Sequence, residues 1–201
     1  MSPKYQNRKK GTLFILSGPS GAGKTTLREG LQKRTPALRF SVSWTTRPPR
    51  PDEKMGQDYR FVSREQFDKN IKADGFLEWA RVHNEYYGTP RAPIQKWLEK
   101  GEDVLLDIDI QGAREVKKRI PQAVAVFILP PSKQDLKKRL IGRETESMKK
   151  IQIRLRNAEK ELHAVKYFDY AIMNRDIPSS VDALETIVKA AQFRVGTKTH
   201  R

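Results

Sequence analysis

The run Gly18-Pro19-Ser20-Gly21-Ala22-Gly23-Lys24-Thr25 satisfies the pattern G-x-x-x-x-G-K-[ST] and follows the apolar segment Thr12-Leu13-Phe14-Ile15-Leu16. A strand, a glycine loop and a helix in that order form a phosphate cradle. Glycines let the backbone curl so that N–H groups face inward and phosphate oxygens approach without meeting a Cβ. The next helix contributes its positive end, Lys24 a compact cation for the β- and γ-phosphates, and the Thr25 hydroxyl a ligand for Mg²⁺. The candidate triphosphate-binding residues are Gly18, Pro19, Ser20, Gly21, Ala22, Gly23, Lys24, Thr25 and Thr26. Switch proteins, motors and kinases all remain open on this motif alone.

A second acidic strand end narrows the field. Val104-Leu105-Leu106-Asp107-Ile108-Asp109 closes an apolar run with two carboxylates, where ligands bind in open α/β sheets and where a metal-holding aspartate sits beside a phosphate loop. Asp107 is the candidate metal ligand with Thr25. The spacing of two predicts that Asp107 and Asp109 point to one side of the strand. A strand simply capped by solvated acids would carry the same residues. In Ser43-Trp44-Thr45-Thr46-Arg47-Pro48-Pro49-Arg50-Pro51, prolines stiffen the backbone around two arginines three residues apart. Guanidinium forks suit bidentate capture of a phosphate, at about 1.5–3 kcal/mol per charge-assisted hydrogen bond. Tyr59 adds a hydroxyl and Phe61 an apolar anchor on the same strand face. A solvated loop or a proline-rich ligand for another domain is the competing reading of this segment.

The elements needed to hold these groups are legible as an alternation. Continuously apolar runs at 12–17, 103–109, 123–129 and 168–173 read as strands covered on both faces, hence a mainly parallel sheet. Helical patterns fill 24–34, 90–100, 111–119, 132–142, about 147–166, and 179–195. Thr89 and Pro90 read as N-cap and first helical residue, Gly101 as a helix stop, and Ser132 with Asp135 as a capping-box-like start. Residues 35–88 break the alternation with β-like pieces at Phe40–Trp44, Asp58–Val62 and Phe76–Val82 and a short helix at Arg64–Lys72. The expected fold is α/β: a parallel central sheet flanked by helices, a small mixed α+β insertion, and a mobile helical lid in the charged stretch around 143–156. The corresponding regions are a core of 11–34, 90–142 and 167–195, an insertion of 35–89, a lid and following helix of 143–166, and flexible ends of 1–10 and 196–201.

Composition bounds the chemistry. The 201 residues carry 40 Lys+Arg against 24 Asp+Glu, a formal charge of +16, which asks for an anionic partner. Hydrophobic residues at 37% with three Trp suffice for a packed core. The absence of Cys excludes disulfides, thiolate zinc sites and a Cys nucleophile, and three scattered His cannot build a His-rich metal site. The longest apolar runs are strand-length, and the basic start with Lys4, Arg8, Lys9 and Lys10 precedes too short an apolar stretch for a signal peptide. The expectation is a cytoplasmic protein with no membrane partner and no obligatory nucleic acid, its oligomeric state unspecified. Trp79, Trp97 and His83 read as structural residues.

The pattern Thr45-Thr46-Arg47-x-x-Arg50-x-x-Glu53-x-x-Gly56-x-x-Tyr59-x-Phe61 resembles the guanylate kinase signature at every specified position. The similarity continues through Phe76–Ala80, Tyr86–Thr89, Leu106–Gly112, Pro130–Ser132 and Asn174, and so covers roughly residues 11–195. It implies ATP-dependent phosphorylation of GMP, with dGMP a further candidate, and ATP and Mg²⁺ as donor and cofactor. By the same resemblance Arg47, Arg50, Tyr59 and Tyr87 hold the GMP phosphate, and Ser43, Glu78, Thr89 and Asp109 face the guanine. Base chemistry agrees: guanine offers N1–H and its 2-amino group to a carboxylate and O6 to a hydroxyl, whereas adenine has an acceptor at N1 and no 2-amino group. The resemblance also makes Arg143 and Arg154 lid arginines that act with Lys24 in catalysis, and Arg139 a further candidate. Glu144 departs from the glycine often found after the first lid arginine.

Three other readings compete. A guanylate-kinase-like binding module without catalysis conflicts with intact Gly23, Lys24, Thr25 and Asp107. Nucleic-acid binding is suggested by charge but by no accompanying motif. A phosphate-loop kinase for another small phosphorylated substrate is the nearest enzymatic rival, and Glu78 with Asp109 argues against it.

Overall fold

The computed structural model describes residues 10–82, 84–141 and 148–194, with backbone alone at 140 and 148–154. Lys4, Arg8, Lys9, His83, Arg143 and Glu144 lie outside the described residues, as does the side chain of Arg154. Five parallel strands form the central sheet: β1 (Leu13–Ser17), β2 (Arg39–Phe40), β7 (Val104–Asp107), β8 (Val124–Leu129) and β9 (Tyr170–Met173). Their order is β2-β7-β1-β8-β9, so the chain first adds β2 and β7 on one side of β1 and then β8 and β9 on the other. The inner strands β1, β7 and β8 are apolar on both faces because helices cover both, whereas Arg39 of β2 and Tyr170, Ala171 and Met173 of β9 are exposed at the sheet edges. Phe14 and Leu16 pack with Leu105, Val126 and Ile128 beneath α1 (Lys24–Arg34) and α7 (Ile177–Ala191). Leu13 and Ile15 face the other way, with Val104, Leu106 and Ala125, toward Ile94 of α3 (Arg91–Glu99) and Ala113 and Val116 of α4 (Ile110–Arg119). Fully burying such a side chain contributes about 1.5–3 kcal/mol, so this double-sided core fixes the strand ends that carry the site.

A second sheet stands beside the first, in the order β4-β3-β6-β5. Its strands are β3 (Trp44–Thr45), β4 (Arg60–Phe61), β5 (Phe76–Val82) and β6 (Glu85–Pro90). The pair β3–β4 is parallel, and β6 runs antiparallel to both β3 and β5. α2 (Arg64–Lys72) closes one face: Ser63 and Gln66 form a reciprocal capping box, and Phe67 stacks on Phe76 at 4.5 Å. Trp44 meets Phe76 edge-on at 5.5 Å. After β8 follow α5 (Lys133–Ile141), α6 (Met148–Leu162) and a 3-10 turn at His163–Tyr167.

The four core strands and the helix at 64–72 lie where the apolar runs put them. Four differences have clear causes. The β-like piece 40–44 splits, because Arg39–Phe40 pairs with β7 in the central sheet while Trp44–Thr45 enters the second. β6 was hidden by its Thr-Pro ending: Thr89 is not an N-cap but a strand residue opposite Glu78, and Pro90 takes the cap position without a side-chain bond. β7 stops at Asp107, so the two-residue periodicity does not reach Asp109, which instead caps α4. Trp97 is half-buried against the core as expected, but Trp79 is 45% exposed, its ring 6.0 Å from Tyr86. Gly101 does follow α3 in a left-handed conformation, and the Ser132 hydroxyl accepts from the Asp135 amide at 3.0 Å at the start of α5. No helix among the described residues is long and apolar enough to cross a membrane.

Candidate active site

β1 delivers the chain into the loop 18–23 at the carboxyl edge of the central sheet, beside the end of β7. Gly23 has φ 92°, and a Cβ there would lie 2.5 Å from Asn174 Nδ2, so both conformation and space require glycine. Lys24, the first residue of α1, folds its ammonium back to donate to the carbonyls of Gly18 (2.7 Å) and Pro19 (3.2 Å). The loop is braced from behind. Asn174, fully buried after β9, donates to the Ala22 carbonyl at 2.8 Å and accepts from Ser180 Oγ at 3.2 Å. Arg139 of α5 donates to the same Ala22 carbonyl (3.3 Å) and to that of Asn174 (3.2 Å). Ser20, Thr25 and Thr26 are exposed at the loop mouth, whereas Gly18, Pro19 and Ala22 are buried.

Asp107 ends β7 in register with Leu16 of β1. Burial pushes its carboxyl above the ordinary range, opposed by the charges of Lys24 and Arg28. No described residue donates a hydrogen bond to that carboxylate. A desolvated carboxylate without a donor, next to an exposed threonine hydroxyl at a phosphate loop, fits Mg²⁺, which is usually held by one or two protein oxygens with phosphates and waters supplying the rest. Among the described residues no cluster of three or more Asp, Glu or His offers a self-sufficient cation cage.

The predicted phosphate-capturing residues converge on the second sheet. Arg47 pairs end-on with Glu53, Nη1 to Oε2 at 2.8 Å and Nη2 to Oε1 at 2.7 Å, and Nη1 also donates to the Pro48 carbonyl at 2.7 Å. Its guanidinium lies 5.5 Å from the Tyr59 ring and 5.8 Å from that of Phe61. Tyr59 and Tyr87 meet edge-on at 5.9 Å. Burial holds the Tyr59 hydroxyl above its ordinary pKa, with Asp107 adding to the effect, so the second sheet reaches electrostatically to the end of β7. Arg50 is exposed, and its guanidinium makes no hydrogen bond among the described residues. The two threonines before Arg47 shape the segment: Thr45 Oγ1 accepts from the Arg47 amide at 3.2 Å, and Thr46 Oγ1 donates to Glu85 at 2.7 Å.

A third cluster lies between the sheets. Glu78 of β5, 8% exposed, accepts from Thr89 Oγ1 at 2.5 Å. Burial, reinforced by the nearby Asp109, pushes its pKa up to about 7 against the opposing hydrogen bond from Thr89. Asp109 accepts from the Gly112 amide at 2.7 Å. A Cβ on Gly112 would come within 2.7 Å of Glu78 Oε2, so this glycine admits the carboxylate to the space in front of α4. Ser43 is half-buried, its carbonyl accepting from the Arg60 amide at 2.8 Å, and no described contact joins its hydroxyl to Glu78.

The structure thus brings together the loop residues, Asp107 and Arg139, then Arg47 with Tyr59 and Tyr87, and finally Glu78 with Thr89 and Asp109. Sequence reasoning gave no role to Asn174, Gly112 or Glu53. A polar residue directly after an apolar strand was the available sign for Asn174. Gly112 carried none beyond being a glycine inside a helix. Glu161 of α6 was also unforeseen: burial raises its carboxyl, with Lys24 opposing, so α6 reaches the loop.

Residues 10–191 match the family model for guanylate kinase. A guanylate kinase of Desulfitobacterium hafniense is 47% identical over 190 residues, covering 94% of this chain and 95% of the relative. One from Thermus thermophilus is 46% identical over 187 residues, covering 93% and 84%. The crystal structure of guanylate kinase from Anaplasma phagocytophilum superposes with a TM-score of 0.78 at 32% identity, over 96% of this chain and 90% of that one. With a phosphate loop, a buried carboxylate in front of α4 and matches of this extent, the chain belongs to the guanylate kinase family.

Proposed function

We propose that this chain is a guanylate kinase, transferring the γ-phosphoryl group of ATP to GMP to give ADP and GDP. The observation that carries the reading is the buried Glu78–Thr89 pair in front of α4, with the exposed Asp109 at the start of that helix beside it and two residues beyond the end of β7. An ionised Glu78 accepts from guanine N1–H and the 2-amino group. Adenine would leave the buried carboxylate facing the lone pair at N1, and polar mismatch of this kind supports discrimination by about 10⁴ or more.

Transfer forms a bond from a GMP phosphate oxygen to the γ-phosphorus and breaks the bond from that phosphorus to the β–γ bridging oxygen, whose electrons leave with ADP. The chain contributes position and charge rather than a covalent step. The loop amides and Lys24 hold the ATP phosphates. Lys24 must exchange the Gly18 and Pro19 carbonyls for them, a short movement of a flexible stem. Arg47, Arg50, Tyr59 and Tyr87 hold the GMP phosphate, Ser43, Glu78, Thr89 and Asp109 the base. Thr25 and Asp107 would hold Mg²⁺, which when bound supplies charge neutralisation on the phosphates. Arg139, already at the Ala22 carbonyl, is placed to add charge near the loop, and the segment 143–166, with Arg143 and Arg154, is assigned to closing over both nucleotides and excluding water. A cytoplasmic location belongs to the same reading, since both substrates are met there.

A coupled ADP-release assay with GMP, AMP, CMP and dTMP as acceptors tests the reading. Clear preference for GMP supports it; equal use of another monophosphate overturns it.

A further inference from the structure

The Arg47–Glu53 pair combines features that an ordinary surface ion pair lacks. Both side chains are largely buried, at 15% and 16% exposure, and the contact is bidentate. Glu53 Oε2 accepts in addition from the Arg50 amide at 2.9 Å, so one carboxylate holds the side chain of the first arginine and the backbone of the second. The Glu53 carboxyl is held below its ordinary range, chiefly by the hydrogen bonds from Arg47, and stays charged. A guanidinium has five N–H groups. Here both edge positions facing Glu53 are taken, and a third N–H goes to the Pro48 carbonyl. Nε–H, on the side edge of the fork, is buried and has no hydrogen-bond partner. A buried donor of this kind is costly unless a ligand completes it.

We propose that Glu53 is a positioning residue for GMP capture: by occupying the end of the Arg47 fork and the Arg50 amide, it reserves the side edge of Arg47 for the acceptor phosphate. This rests on the reading of the site as a GMP pocket and adds to it a residue that touches no substrate. A carboxylate beside a phosphate site would, by charge alone, weaken anion binding. Orientation therefore has to outweigh repulsion, and the sign of the substitution effect separates the two.

The test measures GMP affinity by calorimetry, and the KM values for GMP and ATP, in the unsubstituted chain, Glu53→Gln, Glu53→Asp, Arg47→Ala and the Arg47→Ala/Glu53→Gln double variant. Glu53→Gln places an amide N–H against the guanidinium and breaks the bidentate contact. The expected result is a rise of about tenfold or more in KM and Kd for GMP, with the KM for ATP within about twofold. Glu53→Asp recovers part of the loss, and the Gln effect vanishes once Arg47 is Ala. Unchanged or tighter GMP binding in Glu53→Gln overturns the proposal, because repulsion then prevails. Equal rises for GMP and ATP, or a Gln effect that persists without Arg47, also overturn it by showing a general structural role. Absence of GMP binding by the unsubstituted chain overturns the pocket assignment itself, and the positioning role with it.

Discussion

The two proposed nucleotide sites are built on opposite plans. The phosphate loop is one contiguous stretch, residues 18–25, in which backbone conformation does most of the work. Gly23 must sit at φ 92° against Asn174, and the charged group is the first residue of the next helix. The proposed GMP region would be assembled from side chains on separate elements: Arg47 after β3, Tyr59 before β4, Glu78 on β5, Tyr87 and Thr89 on β6, and Asp109 at the start of α4. A site that needs only phosphate geometry can be local, because a triphosphate presents the same oxygens whatever base it carries. A site that must read a base edge needs donors and acceptors from several directions, hence a second sheet.

The contrast orders the expected effects of substitution. Lys24→Ala strikes the compact site and should lower kcat by about 10³, on the scale seen when one transition-state charge is removed, with KM for GMP changed little. A loss in GMP affinity instead of kcat would place Lys24 in the other site. Glu78→Gln strikes the assembled site: with an N–H replacing an acceptor, kcat/KM for GMP should fall about 10²-fold while the KM for ATP holds. Gly112→Ala probes the same site more gently. Its methyl group would press on Glu78 Oε2, raising KM for GMP about tenfold and leaving the ATP site untouched.

Acidity gives the two sites a further difference. Glu78 has its pKa raised to about 7, above the ordinary 4.5. The ionised form is the one that accepts from guanine, so KM for GMP should fall as pH rises from 6 to 8, by up to about tenfold, while KM for ATP follows a different profile. For stability the sign is reversed. A carboxyl with a raised folded-state pKa binds its proton more tightly when folded, so its favourable contribution is complete below the unfolded pKa and is lost as pH rises through about 7. Glu78→Gln, which cannot ionise, should therefore melt a few degrees higher than the unsubstituted chain at pH 8 and lose that advantage near pH 5. Equal melting temperatures at both pH values would show that Glu78 is not held in a desolvated state.

The same contrast explains what could be read without coordinates. β1, β7 and β8 are buried on both faces, so their apolar runs were visible, and the loop between β1 and α1 was written in consecutive residues; β9, an edge strand with only Ile172 buried, was legible from composition alone. The second sheet has strands as short as two residues, Trp44–Thr45 and Arg60–Phe61, too brief for any periodicity. β6 ends in Thr-Pro, which locally favours a helix start, but pairing with β5 takes Thr89 into the sheet and its hydroxyl to Glu78. Asp109 looked like a strand residue because Ile108 prolongs the apolar run, although β7 ends one residue earlier. Glu78 and Asp109 could be joined from sequence only through the resemblance to guanylate kinases. Nothing in a chain with 40 basic residues distinguishes the few that meet phosphate from those that contribute a general field. That field should show itself only in a GMP association rate that declines with salt.

The central claim is that Glu78 makes the assembled site a reader of guanine. The most direct test is the ratio of kcat/KM for GMP to that for AMP, measured with saturating ATP at pH 8 in the unsubstituted chain and in Glu78→Gln. The account predicts a ratio of about 10⁴ or more that falls by at least tenfold in the variant. A ratio near one in the unsubstituted chain, or one that Glu78→Gln leaves unchanged, would contradict it.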